Sequence, residues 1–162
     1  MRVHRPMSLS SLNDDLEKSG VDPTTTVLEW LQEPATPGIA AALNLEVGTD
    51  VVYFKRLRML RDEPLALMQN WLPAAIAPTR EDLADKGFYA CLRERDIKVS
   101  VGYQQIGARL ATAEEGRLLN EPAGSALLTM QRTAYDEQHR AVEFGMHVYR
   151  ASMYSYDQTV LA

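Results

Sequence analysis

The sequence predicts an α+β fold, a mostly antiparallel sheet flanked by short helices and made of two similar halves. Three observations point to it. Strand-like runs come in pairs joined by short polar turns, residues 51–60 with 64–73 and residues 126–135 with 141–150. Runs joined so closely pair antiparallel. Each pair follows a short segment with helix-capping residues. Finally, TPGIAAALNLEVGTDVVYFKR overlays TAEEGRLLNEPAGSALLTMQR at a spacing of 76 residues, matching Thr36 to Thr112, Leu43 to Leu119, Asn44 to Asn120, Gly48 to Gly124 and Arg56 to Arg132. That period is too long for a solenoid and suits two helix–strand–hairpin halves in one sheet.

In chain order, residues 1–7 read as a tail. A helix follows, capped by Ser10 or Ser11, with Leu9, Leu12 and Leu16 at helical spacing and Gly20 as its stop. Thr25, Val27, Glu29 and Leu31 alternate with Thr26, Leu28, Trp30 and Gln32 as in a strand. Thr36 caps a short helix with Pro37 and Gly38 in its first turn, and NLEVGTD turns the chain. In the next strand Val52, Phe54, Arg56, Arg58 and Leu60 share one face, and Val51, Tyr53, Lys55, Leu57 and Met59 the other. PLALMQNWLP returns as its hairpin partner. AAIAPTREDLADKG is helical in part, FYACLRERDI is a helix and KVSVGYQQIGARL a strand. Thr112 caps TAEEGRLLN, and the last hairpin turns at DEQHR. Short helices at the half-boundaries are expected to cover one face of the sheet, leaving the other free for a ligand.

The 162 residues suit one domain, and 46% hydrophobic with 24% charged residues is ordinary for a globular chain. The 22 acidic against 17 basic residues give a net charge of −5, which argues against this segment gripping nucleic acid by itself. The lone cysteine, Cys91, cannot form an internal disulfide and fits a reducing compartment, so a cytoplasmic location is expected. No run approaches the ~18 apolar residues of a membrane span, and the N-terminus lacks a signal-peptide core.

Motifs for catalysis are missing. There is no Gly-rich phosphate loop and no nucleophile motif, and His4, His139 and His147 lie too far apart for metal-ligand spacing. No catalytic residue, metal or cofactor is expected. His139 falls in a hairpin turn, and His147 reads as a packed strand residue. Arg56 and Arg58 put two planar donor forks side by side, which suits a phosphate or carboxylate, or else they are surface charges on a wet face. Arg132 holds the equivalent place in the second half. Glu143 alternates with Gly145, His147 and Tyr149 along the last strand, while Tyr149, Tyr154 and Tyr156 read as packing residues.

SLSSLNDDLEKSGVDPTTTVL, AALNLEVGTDVVYFKRLRMLRDEPLALMQNWLP, GFYACLRER, EEGRLLNEPAGSALLTMQRTAYDEQHRAVEF and Tyr149–Arg150 together carry a resemblance. The chain resembles the UTRA domain, the ligand-sensing module of HutC-type regulators in the GntR family. The resemblance implies a chorismate-lyase-like fold with a pocket on the sheet and a homodimer. It implies operator DNA bound only through a preceding winged helix-turn-helix domain that is absent here. Residues 1–7 would be a linker remnant and 8–162 the effector domain. In phosphosugar sensors of this family the Arg-x-Arg pair holds the anionic group, and Arg56 and Arg58 match it. Tyr89 matches an aromatic pocket position, and Glu143 and Tyr149 match positions that contact the ligand's polar body. Two positions depart: Gly87 stands where such sensors often carry Ser, and Met68 where many carry Glu. These changes favour a smaller or partly apolar anion, such as an organic acid, over an amino sugar. The rival readings are a chorismate-lyase-like enzyme acting on an aromatic carboxylate and a ligand-free dimerisation module.

Overall fold

Six strands form one antiparallel sheet in the computed structural model, which describes residues 3–5 and 23–162. The helix expected to start at Ser10 or Ser11 lies outside the described residues. The elements are β1 (Val3–Arg5), β2 (Pro23–Pro34), α1 (Pro37–Leu43), β3 (Asp50–Leu60), β4 (Glu63–Pro73), a 3-10 turn (Ala74–Ile76), α2 (Arg80–Asp85), α3 (Phe88–Glu94), β5 (Val99–Leu110), α4 (Ala113–Leu119), β6 (Ala126–Asp136), β7 (Ala141–Arg150) and β8 (Tyr154–Tyr156). The sheet order is β2-β3-β4-β7-β6-β5, so the two hairpins meet at β4 and β7 in the centre. Among the described residues no helix is long and apolar enough to cross a membrane.

The internal repeat is present down to its caps. Thr36 and Thr112 cap α1 and α4 with φ/ψ of −69°/164° and −70°/167°, and Asn44 and Asn120 end them in the left-handed region at φ 53° and 55°. Asn tolerates that conformation better than most residues because its short amide bonds locally. Gly48 and Gly124 then turn the chain at φ 88° and 84°. Each turn closes with the same bonds, Gly48 N–H to Ala35 O (2.9 Å) and Gly124 N–H to Ala111 O (3.0 Å). The helices pack across the halves, α1 with Leu43 against Phe144 of β7, and α4 with Leu119 against Leu67 of β4. This exchange ties the hairpins together on one face.

α4 also carries a full capping box. Thr112 Oγ1 accepts from Glu115 N–H (3.1 Å), and the Glu115 carboxylate accepts from Thr112 N–H (3.0 Å) and from both Nη atoms of Arg109 (each 2.6 Å). The Arg109 hydrogen bonds lead in holding the Glu115 pKa down to about 2. A carboxyl depressed in the folded state contributes stability above its ordinary 4.5, and that contribution fades as pH falls towards about 2. Glu115→Gln is therefore expected to cost about 1 kcal/mol at neutral pH. Urea titrations of both proteins should show the gap closing as the pH drops below the usual carboxylate range; a constant gap would contradict it.

Three expectations need correction. The face opposite α1 and α4 is not free, because Leu83, Phe88, Tyr89 and Leu92 of α2 and α3 pack on Val52, Phe54 and Leu72 there. Strict alternation fails in β2, where the register shifts between Val27 and Glu29. The shift puts Val27 opposite Arg56 and Trp30 opposite Phe54, so both join the cluster under α2 and α3. A bulge of this kind breaks the period of two. Within residues 1–7, read as a tail, Val3–Arg5 form a strand pairing parallel with β8.

Candidate functional site

β3 buries its arginines. Arg56 is 4% and Arg58 2% exposed, on the face that α2 and α3 roof. Backbone pairing sets out the surroundings in two rows across the sheet. Phe54, Asn70, Gly145 and Arg132 form one row, and Arg56, Met68, His147 and Met130 the next. Residues directly opposite one another point to the same face. The wet-surface reading of Arg56 and Arg58 is therefore excluded.

Asn70, fully buried, is the hub of this face. Its Oδ1 accepts from Arg56 Nη2 (3.1 Å), and its Nδ2 donates to Glu143 Oε1 (2.8 Å) and lies 3.4 Å from His147 Nε2. An Nδ2 donor facing Nε2 suits a neutral imidazole with its proton on Nδ1, which can donate to Tyr149 Oη at 2.9 Å. Tyr149 in turn stacks on Tyr154 with ring centroids 4.1 Å apart. Gly145 makes this convergence possible, since a Cβ there would lie 2.5 Å from Glu143 Oε1 and 3.2 Å from both Asn70 Nδ2 and His147 Nε2.

Aromatic rings wall the cations. The Arg56 guanidinium lies 5.1 Å from the Phe54 ring centre and 5.8 Å from that of Phe88, and the Arg132 guanidinium lies 5.4 Å from the Tyr89 ring centre. Consecutive residues at the start of α3 thus cover the two repeat-related arginines, and Gly87 is the cap of that helix, with no side-chain cap bond. Burial first, then the charge of Arg58, depresses the Arg56 pKa to about 9. At neutral pH it remains a cation that an anion would relieve. Glu143 is fully buried, and burial pushes its pKa up, while Arg132, Asn70 and Arg56 pull against it.

The structure brings Arg56, Arg58, Met68, Tyr89, Glu143 and Tyr149 onto one face, with Gly87 at the edge of the roof. Met68 is buried opposite both Arg56 and His147. Sequence reasoning missed Asn70 as a site residue and set His147 aside as packing. Their kinship shows only in the pairing, because the 76-residue spacing of the repeat slips by one in the returning strands. Pairing places Met68 opposite Arg56 and Gly145 opposite Arg132, so Asn70 and His147 hold equivalent places in the two halves. His139 is exposed at the hairpin turn, as expected.

A family model described as "UTRA domain" matches residues 18–155. The repressor NagR of Bacillus subtilis is 25% identical over 153 residues, 91% of this chain and 62% of its own length. The chain thus spans about three-fifths of the length of this relative and of the repressor PhnF of Mycolicibacterium smegmatis. Among solved structures, a putative transcriptional regulator from Streptomyces coelicolor is 43% identical, with a TM-score of 0.78 over 83% of this chain and 91% of that one. The effector domain of PhnF from Mycobacterium smegmatis superposes with a TM-score of 0.92 at 22% identity, covering 99% of this chain and all of that one, and so shares its fold. The chain belongs to the UTRA domain family, which supplies effector domains to GntR-family transcriptional regulators.

Proposed function

We propose that this domain senses a small anionic metabolite, a sugar phosphate or an organic acid, and passes the signal to a DNA-binding domain in the complete regulator. One observation carries the reading. Arg132 pairs with Glu143 and Arg56 reaches it only through Asn70; both arginines are buried, and each keeps an Nε–H with no hydrogen-bond acceptor among the described residues. Buried cations are normally paired and buried donors hydrogen-bonded, so the site is short of acceptors that an anion would supply. Arg56 and Arg58 hold the anionic group in this reading, and Glu143, Tyr149 and Tyr89 meet the rest of the ligand. Met68 beside Arg56 favours a ligand with an apolar stretch. Signalling requires the ligand to bind two conformations of the domain unequally. The regulator acts as a homodimer in this reading, and β5 supports it. Its outer edge pairs with no strand among the described residues and leaves Val101, Tyr103, Ile106 and Leu110 exposed, a condition that sheet proteins usually cover.

A thermal-shift screen of the whole chain against sugar phosphates, inorganic anions and small carboxylates tests this. A ligand at a hundredfold excess over its Kd stabilises by about 2.7 kcal/mol, or roughly 5–10 °C for a domain of this size. That shift should vanish in Arg56→Ala/Arg58→Ala. Recovery of the ligand unchanged after incubation separates a sensor from a lyase. No shift at millimolar concentrations would sink the sensor reading and favour a ligand-free dimerisation module.

A further inference from the structure

The second half places its own buried arginine on this face. Arg132 is the repeat partner of Arg56 and is 3% exposed. The carboxylate it approaches is Glu143, with Nε 3.9 Å from Oε2, an ion-pair distance too long for a hydrogen bond. Both atoms lack hydrogen-bond partners among the described residues. The other carboxylate oxygen, Oε1, is already held by Asn70. Two orphaned atoms, one donor and one acceptor, thus face each other deep in the site. One oxygen placed off the line between them, at about 2.9 Å from each, can accept from Nε and donate to Oε2. A hydroxyl group does both, and a carboxylate oxygen cannot donate. The remaining N–H groups of the Arg132 fork are then placed for an acid on the carbon next to that hydroxyl.

The neighbouring surface adds no rival charge preference. Tyr89, whose ring faces Arg132, also lines a cleft of about 440 Å³. Arg93 and Lys98 on the cleft wall are offset by Asp96 and Glu137, so Arg132 is the selective element at this end. At the other end stand Arg58 and Arg56, the latter linked to Glu143 through Asn70.

Resting on the sensor reading above, we propose that the effector is an α-hydroxy acid carrying a second anionic group. Its hydroxyl bridges Arg132 Nε and Glu143 Oε2, its carboxylate takes the Arg132 fork, and its far anion takes Arg56 and Arg58. The repeat thereby serves the ligand, with Arg56 and Arg58 of the first half for one acidic end and Arg132 of the second for the other.

Isothermal titration of the whole chain with two matched pairs tests this. Glycerol 3-phosphate and 3-phosphoglycerate differ by the carboxylate beside the hydroxyl, and lactate and malate differ by the far carboxylate. In the wild type 3-phosphoglycerate, malate or both should bind at least about tenfold tighter than the single-acid partner. Which of the two binds better identifies the far anion as phosphate or carboxylate. Arg132→Gln should bring glycerol 3-phosphate and 3-phosphoglycerate within about twofold, whereas the malate preference over lactate should persist there and fall in Arg56→Gln. Arg132→Lys keeps the charge that faces Glu143 without the fork, and should retain part of the preference for 3-phosphoglycerate. A preference for 3-phosphoglycerate over glycerol 3-phosphate that survives Arg132→Gln in full overturns the proposal. Equal binding within each pair that still depends on Arg56 overturns it too, and leaves the sensor reading standing. No binding of any probe overturns both.

Discussion

Asn70→Ala is expected to be among the most destabilising single substitutions in the sheet, although it deletes a small polar side chain. Asn70 joins a guanidinium to a carboxylate, accepting from Arg56 Nη2 at 3.1 Å and donating to Glu143 Oε1 at 2.8 Å. All three side chains are buried. Alanine leaves one cationic donor and one carboxylate oxygen without partners in a place water reaches poorly. Breaking such a network costs about 3–4 kcal/mol, or a melting temperature lower by roughly 10 °C for a chain of this size. Asn70→Asp separates lost volume from lost hydrogen bonding. It keeps an acceptor for Arg56 but turns a second acceptor towards Glu143. It should be unstable at neutral pH and recover on acidification, as one of the two carboxyls takes up a proton. Urea unfolding at two pH values distinguishes these outcomes. A loss under 1 kcal/mol for Asn70→Ala would mean that ordered water replaces the amide.

The hub also shows which parts of the molecule the sequence expresses. The repeat was legible because its marks are backbone demands. Asn44 and Asn120 sit in the left-handed region, Gly48 and Gly124 at positive φ, and Thr36 and Thr112 at caps. Such positions restrict residue type wherever they occur. The period of two put Arg56 and Arg58 on one face, but it cannot say whether a face is wet, because that depends on what lies above it. Here the cover is Phe88 and Tyr89, which follow the first hairpin and read locally as a short apolar helix. Trp30 was assigned opposite to Val27 because a bulge leaves no mark in an alternating pattern. Asn70 escaped notice for another reason. A lone amide in an apolar strand is unremarkable until the register brings Arg56 to one side of it and Glu143 to the other.

Glu143→Gln should flatten the dependence of stability on pH while weakening ligand binding. Glu143 is fully buried, and burial raises its pKa against the opposing pull of Arg132, Asn70 and Arg56. The sign follows from linkage. Below the ordinary carboxylate pKa both folded and unfolded chains hold the proton. As pH rises past that value the unfolded chain ionises first, so folding stability falls until the raised folded-state pKa is reached, and then levels. Wild-type stability should therefore decline with pH above the usual carboxylate range. Glutamine removes that decline, because it does not titrate and its Oε1 still accepts from Asn70 Nδ2, while Arg132 loses its counter-charge at every pH. Binding weakens. Glutamine can place its Nε2 where Glu143 Oε2 stands, and a donor there meets the Arg132 Nε–H instead of a ligand hydroxyl. Urea titrations of wild type and Glu143→Gln from pH 5 to 8, with and without a ligand found by thermal shift, measure both effects. Parallel pH profiles would show that Glu143 is ionised throughout and that Arg132 compensates its burial. A variant that binds as tightly as wild type would remove Glu143 from the site and leave it a structural carboxyl.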